Sequence, residues 1–99
     1  MRLLPQQIDA IRFITQELAG ADARVRLFGS RLDPAIKGGD VDLLVELNHP
    51  VEHPAVLAAS LSARISRRLQ GRKVDVLLSA PNLAVLPIHL LAREEGQWL

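Results

Sequence analysis

The chain has 99 residues, of which 48% are hydrophobic, and this is enough apolar material for one small core, so we expect a single domain over residues 1–99. Twelve basic and eleven acidic residues give a net charge of +1, and the aromatic residues are two phenylalanines and one tryptophan. Direct nucleic-acid binding usually needs a basic excess or aromatic stacking, so this composition disfavours it. The absence of cysteine excludes disulfides and thiolate sites, and no apolar run approaches the ~20 residues of a membrane span, so we expect a soluble, cytoplasmic protein without membrane contact.

A helical repeat of apolar residues opens the chain. From Leu4 to Leu18 they recur every three or four positions, with Pro5 near the start and Gly20 just past the end, as is typical of a helix. Residues 24–28 then alternate arginine with apolar side chains and predict a first strand. Glycines and a proline mark residues 29–39 as a loop, and residues 41–47 form the strongest predicted strand.

The second half of the chain is predicted to contain two helices and one strand. Pro54 begins a helix whose apolar residues step by four, and Gly71 ends it. Residues 74–78 predict a third strand, and residues 83–95 a last helix that is irregular near Pro87. Residues 97–99 are either a short edge strand or a frayed end. The order α-β-β-α-β-α predicts an α/β (α+β) fold, a small mixed β-sheet with the helices packed on one face.

Two aspartates, Asp40 and Asp42, lie at the start of the second predicted strand. Because side chains alternate between the two faces of a strand, both carboxylates should lie on one face, where their charges repel. A divalent cation would turn this repulsion into coordination, and oxygen ligands favour Mg²⁺ or Mn²⁺. Asp75 adds a carboxylate in the third strand, so three acids can converge on a pair of metal ions if the strands are neighbours. The alternative is a set of solvated acids at strand ends.

The pair Gly29-Ser30 follows the first strand directly. Glycine allows a sharp turn and a close approach of the backbone, and successive amides beside a serine hydroxyl can form a concave site for phosphate oxygens. As an isolated dipeptide, Gly-Ser usually marks an ordinary turn. Its position between a core strand and the two aspartates is what makes it a candidate phosphate site.

Gly29-Ser30, a loop over residues 31–39, the Asp40-x-Asp42 pair and the later Asp75 together resemble the DNA-polymerase-β-like nucleotidyltransferase superfamily. In size the chain is similar to the minimal nucleotidyltransferases (MNT proteins), the antitoxins of HEPN/MNT toxin–antitoxin pairs. The resemblance implies the nucleotidyltransferase fold. It also implies transfer of a nucleoside monophosphate from a nucleoside triphosphate to a hydroxyl, with release of pyrophosphate.

The resemblance also assigns a role to each matching residue. Gly29 and Ser30 would hold the nucleotide phosphates, whereas Asp40, Asp42 and Asp75 would be the catalytic, metal-ligating residues of a site for two Mg²⁺ or Mn²⁺ ions. Asp75 would also accept the proton of the attacking hydroxyl. ATP would be the substrate.

The loop after Ser30 departs from the family pattern. Its glycines come late, at Gly38 and Gly39, and residues 31–34 (Arg-Leu-Asp-Pro) stand where the family often carries a further glycine. The loop is also nine residues long, whereas ten is common in the family. Arg31 and Lys37 are candidate contacts to the triphosphate because their charges would balance it. Solvated loop cations are the alternative.

Two functions are consistent with these features. The first is a Mg²⁺-dependent enzyme that transfers AMP from ATP to a hydroxyl on a partner protein, as an antitoxin that modifies a helical HEPN-type toxin. The second is a non-catalytic antitoxin that neutralises its partner by direct contact. Both need a partner surface, and the apolar segment over residues 83–91, together with Trp98 and Leu99, is more hydrophobic than a small monomer requires.

Overall fold

The computed structural model describes residues 3–29 and 40–99. Within them, three helices and four strands follow in the order α-β-β-α-β-α-β, which confirms the predicted fold class and adds a short last strand. The elements are α1 (Pro5–Ala19), β1 (Arg24–Phe28), β2 (Val41–Glu46), α2 (Pro54–Arg68), β3 (Val74–Ser79), α3 (Pro87–Glu95) and β4 (Gln97–Trp98). None of the helices in this part of the chain has the length and apolar character that a membrane span requires.

The sheet is mixed, with the strand order β3-β2-β1-β4. β1 is antiparallel to both β2 and β4, whereas β2 and β3 are parallel neighbours connected through α2. Parallel neighbours need a crossover of this kind, because the chain must return to the same end of the sheet. The parallel pair places the starts of β2 and β3 side by side.

The main core lies between one face of the sheet and the helices α1 and α2. The side chains that pack there from β2 are Val41, Leu43 and Val45, and all three are fully buried. The helices contribute their apolar stripes to the same cluster, which includes Ile11, Ile14, Leu61 and Ile65. Burial of these stripes stabilises the helices, which would be marginal in isolation.

The third helix lies on the opposite face of the sheet, and in this detail the prediction that the helices share one face is wrong. Ala92 of α3 packs against Phe28 of β1 and Leu44 of β2 in a second, smaller cluster. Phe28 and Leu44 point away from the main core because side chains alternate along a strand. On this second face Leu44 is the apolar residue of β2, between Asp42 and Glu46, and α3 covers it.

The start of α3 also differs from the prediction. The helix begins at Pro87, whereas residues 83–86 are not helical. Proline is well tolerated in the first turn of a helix, because the amide hydrogen that it lacks would have no partner there. Pro87 therefore begins the helix and does not distort its interior.

Candidate active site

Two of the predicted acids, Asp42 and Asp75, are neighbours in the sheet. Asp42 of β2 is in register with Asp75 of β3, and both side chains belong to the face that α3 partly covers. Asp42 is half-buried and makes a polar contact of its own, whereas Asp75 is exposed. The parallel pairing of β2 and β3 therefore brings together two carboxylates that are far apart in the sequence.

The two carboxylates line one open pocket of about 380 Å³. The other residues that line it are Phe28, Val76, Leu77 and Ile88. The lining therefore combines two carboxylates with four apolar side chains. Such a combination of a few polar groups with apolar walls is typical of a small-molecule site.

Gly29 contacts the acidic side of this pocket. Its φ of +78° is in the region that favours glycine, and a Cβ atom built on it would lie 2.6 Å from Oδ2 of Asp42. The preceding residue, Phe28, is in register with Asp42 across the antiparallel pair. The backbone at Gly29 therefore packs against the Asp42 carboxylate with no room for a side chain.

The other predicted site residues are not gathered in the same way. Asp40 is exposed and directly precedes β2. In residues 3–29 and 40–99, no three His, Asp or Glu side chains form a group that could hold a metal ion. A cluster of three acids is therefore not preformed there, and the metal-ligating role of Asp40 stays a prediction. Ser30, Arg31 and Lys37 lie outside the described residues, so their assigned phosphate contacts stay predictions as well.

Glu46 belongs to the same strand face as the aspartates but has a different partner. Its Oε1 accepts a 2.8 Å hydrogen bond from Nε of Arg93, and its Oε2 lies 3.5 Å from Nε of Arg26. Among the described residues, the Nε atom of Arg26 has no hydrogen-bond partner. Arg93 also donates from Nη2 to Oγ of Ser79, at 2.7 Å. Glu46 thus joins α3 to the far end of the sheet, away from the pocket.

Arg26 connects this ion-pair network to the last strand. Its Nη1 donates to the backbone carbonyl of Arg93 at 2.9 Å, and its guanidinium stacks 3.6 Å from the centre of the Trp98 ring. Arg24 stacks on the same ring at 3.8 Å. Cation–π contacts of this kind stabilise a partly exposed tryptophan. Trp98 therefore anchors β4 to β1.

The two paired carboxylates have the donor chemistry for Mg²⁺. This ion is commonly held by one or two carboxylates together with phosphate oxygens of the substrate, and it does not need a complete cage of protein ligands. Asp42 is fixed by its half-buried position beside Gly29, whereas Asp75 faces solvent. The two carboxylates thus fit a divalent metal ion whose remaining ligands are phosphate oxygens or water.

Sequence reasoning missed the apolar wall of the pocket. The sequence predicts Phe28 only as part of a strand and Ile88 only as part of an apolar segment, whereas both side chains line the pocket. One signal was available, since Leu43, Leu44 and Val45 are apolar in succession, and a strand of this kind is buried on both faces. A helix on the second face, next to the acids, follows from that pattern.

The family comparison agrees with this geometry. The family model described as a nucleotidyltransferase domain matches residues 8–95, which is nearly the whole chain. A comparison with curated proteins finds no match.

Proposed function

The chain belongs to the nucleotidyltransferase domain family, and we propose that it is a Mg²⁺-dependent enzyme that transfers AMP from ATP to a hydroxyl group of a partner protein. The observation that carries the proposal is the Asp42–Asp75 pair, in register on neighbouring strands and lining one pocket. Gly29, the first residue of the proposed phosphate-binding turn, lies against the Asp42 carboxylate. This contact supports the proposal that the turn and the acids act on the same triphosphate.

The proposed reaction is an in-line displacement at the α-phosphorus. The acceptor oxygen forms a bond to this phosphorus while the bond from phosphorus to the pyrophosphate oxygen breaks, and pyrophosphate leaves with both electrons of that bond. The acceptor hydroxyl loses its proton to Asp75, whose carboxylate faces solvent and can pass the proton on. Asp42, which is half-buried, would hold the metal ion that binds the triphosphate.

The residues that would hold the metal are Asp42 and Asp75, with Asp40 as a third carboxylate. When bound, Mg²⁺ or Mn²⁺ would neutralise the charge on the phosphate oxygens and on the attacking and leaving oxygens. The chain supplies the geometry for this chemistry, because β2 and β3 fix the spacing of two carboxylates by their backbone pairing.

The proposed acceptor is a protein because a large apolar surface lies beside the pocket. Five large apolar side chains between residues 85 and 91 are 47–58% exposed: Val85, Leu86, Ile88, Leu90 and Leu91. Ile88 also lines the pocket, so a protein bound to this surface would place its own side chains next to the two acids. So many exposed large apolar side chains in one short segment are typical of an interaction site. A helical HEPN-type toxin is the proposed partner, with the chain as its antitoxin.

The test is transfer of label from α-labelled ATP to the partner in the presence of Mg²⁺. Asp42→Asn should abolish the transfer and leave complex formation intact, because the carboxylate and the apolar surface are different parts of the molecule. Asp9→Asn is the matched control, since Asp9 is an exposed acid on α1, which packs on the other face of the sheet. Equal labelling by the parent and by Asp42→Asn would refute the proposed site.

The same exposed apolar surface favours one rival function, that of a binding module without catalysis. Under this alternative, Asp42→Asn and Asp75→Asn would neutralise the partner as well as the parent does, and the mass of the partner would not increase. An increase in mass by AMP units that depends on both aspartates would exclude the rival.

A further inference from the structure

His89 has both ring nitrogens engaged inside the protein. The residue lies in the first turn of α3 and is only 4% exposed. Its Nδ1 accepts a 2.9 Å hydrogen bond from the backbone N–H of Leu86, and its Nε2 lies 2.8 Å from the carbonyl oxygen of Leu78 on β3. One side chain therefore caps the helix and also fastens it to the edge of the sheet.

These two contacts fix the protonation of the ring. Nδ1 carries no proton because it accepts an N–H, and Nε2 carries the proton because its partner is a carbonyl. The imidazole is therefore neutral and of the Nε2–H tautomer. The opposite tautomer would place a proton against the N–H of Leu86 and leave the carbonyl of Leu78 without its donor.

The first helix has a similar side-chain cap at its start but no hydrogen bond from that side chain to the sheet among the described contacts. Both α1 and α3 begin with a Leu-Pro pair, and in α1 the Oε1 atom of Gln7 accepts a 2.8 Å hydrogen bond from the N–H of Leu4. Gln7 stands at the same position of α1 as His89 does of α3, but it makes no cross-link to the sheet among the contacts of the described residues. A simple cap therefore does not require a buried histidine.

The cross-link joins the helix that carries one pocket residue to the strand that carries Asp75. Leu78 belongs to the strand that carries Asp75, and His89 directly follows Ile88, which lines the pocket with Asp42 and Asp75. We propose that His89 is a positioning residue that fixes the first turn of α3 on β3 and so holds Ile88 as the wall of the nucleotide pocket. This proposal rests on the proposed function, because it assigns His89 an effect on substrate binding.

The expected effect is on KM and not on kcat. The two carboxylates are held by the pairing of β2 with β3, so they stay in place when α3 shifts. Ile88 belongs to α3, so the pocket wall that it forms moves when the helix shifts. His89→Gln keeps an acceptor for the cap, as Gln7 does in α1, and weakens the cross-link, whereas His89→Ala removes both contacts. We expect KM for ATP to rise about 3-fold to 10-fold in these variants, with kcat within about 2-fold of the parent.

Gln7→Ala is the matched control, because it removes the same kind of cap from a helix on the opposite face of the sheet. It should lower stability and leave KM unchanged. The ¹⁵N spectrum of the parent should show a neutral His89 ring with the proton on Nε2. An unchanged KM in both His89 variants, an equal rise in KM in Gln7→Ala, or a ring with its proton on Nδ1 would overturn the proposal.

Amide hydrogen exchange separates this proposal from the proposed function. If the parent transfers no nucleotide, the proposed function fails, and the positioning of α3 is then decided by exchange alone. The amides of α3 should exchange about tenfold faster in His89→Gln and His89→Ala, and at the parent rate in Gln7→Ala. The reason is that the loss of one hydrogen bond raises the equilibrium constant for local opening of the helix by about this factor. Unchanged exchange in α3 would refute the positioning role.

Discussion

Substitution of Gly29 by alanine tests the contact between the turn and the acid pair. The new Cβ would lie 2.6 Å from Oδ2 of Asp42, whereas ordinary contacts begin at 3.4 Å, so the carboxylate must move by about 0.8 Å. A misplacement of this size is enough to lower activity by about 100-fold. The positive φ adds a strain of about 1–2 kcal/mol, and Tm should fall by roughly 5–15 °C.

Gly71→Ala is the matched control for this prediction. Gly71 has a φ of +82°, close to that of Gly29, but a Cβ atom there would meet nothing within 4 Å. Both variants should therefore lose similar stability in thermal melts, and only Gly29→Ala should lose nucleotidyl transfer from α-labelled ATP below its Tm. Activity within about 3-fold of the parent in Gly29→Ala, or an equal loss in Gly71→Ala, would refute the reasoning, since the argument assigns about 100-fold to the displaced carboxylate.

The remaining predictions concern the parts of the molecule around the site. Arg93→Ala should lower the free energy of unfolding by about 1–2 kcal/mol in denaturant titrations, because it removes two partly buried hydrogen bonds, to Glu46 and to Ser79. The control Arg67→Ala, at an exposed position, should stay within about 0.5 kcal/mol of the parent. Trp98→Ala should lower Tm by about 4–8 °C, since two cation–π contacts of β4 are lost, and an unchanged Tm would show that β4 does not stabilise the sheet. Leu90→Lys should change the free energy of unfolding by less than about 0.5 kcal/mol, because Leu90 is exposed. The same variant should abolish binding in a pull-down with the purified partner, and retained binding would show that this surface is not the partner interface.

Local patterns were sufficient to predict most of the elements. The first strand has the predicted bounds, because alternation begins after a short turn and ends at a glycine. The last helix was predicted to begin four residues too early, since periodicity alone does not distinguish a proline in the interior from one in the first turn. Its packing on the second face could not follow from its own sequence. An apolar stripe shows which side of a helix is buried, but not which face of a sheet covers it.

The site was only partly predictable for a similar reason. Asp40, Asp42 and Asp75 could be selected from the sequence, because charged residues are rare in apolar strands. Whether they meet depends on the pairing and register of β2 and β3, which arise from a crossover through α2 and leave no local trace. The structure pairs Asp42 with Asp75, and the contact of Gly29 with Asp42 depends equally on the pairing of β1 with β2.

The most direct measurement of the proposed metal site is carboxylate ¹³C spectroscopy of the parent protein with Mg²⁺ and a non-hydrolysable ATP analogue. The side-chain signals of Asp42 and Asp75 should shift when both ligands are present, and those of Asp9 and Asp22, which do not line the pocket, should not. The shifts at Asp75 should be much smaller in Asp42→Asn, because this substitution removes one of the two carboxylates that line the pocket. Signals of Asp42 and Asp75 that do not respond to Mg²⁺ and the analogue, or that respond no more than those of Asp9 and Asp22, would contradict the account.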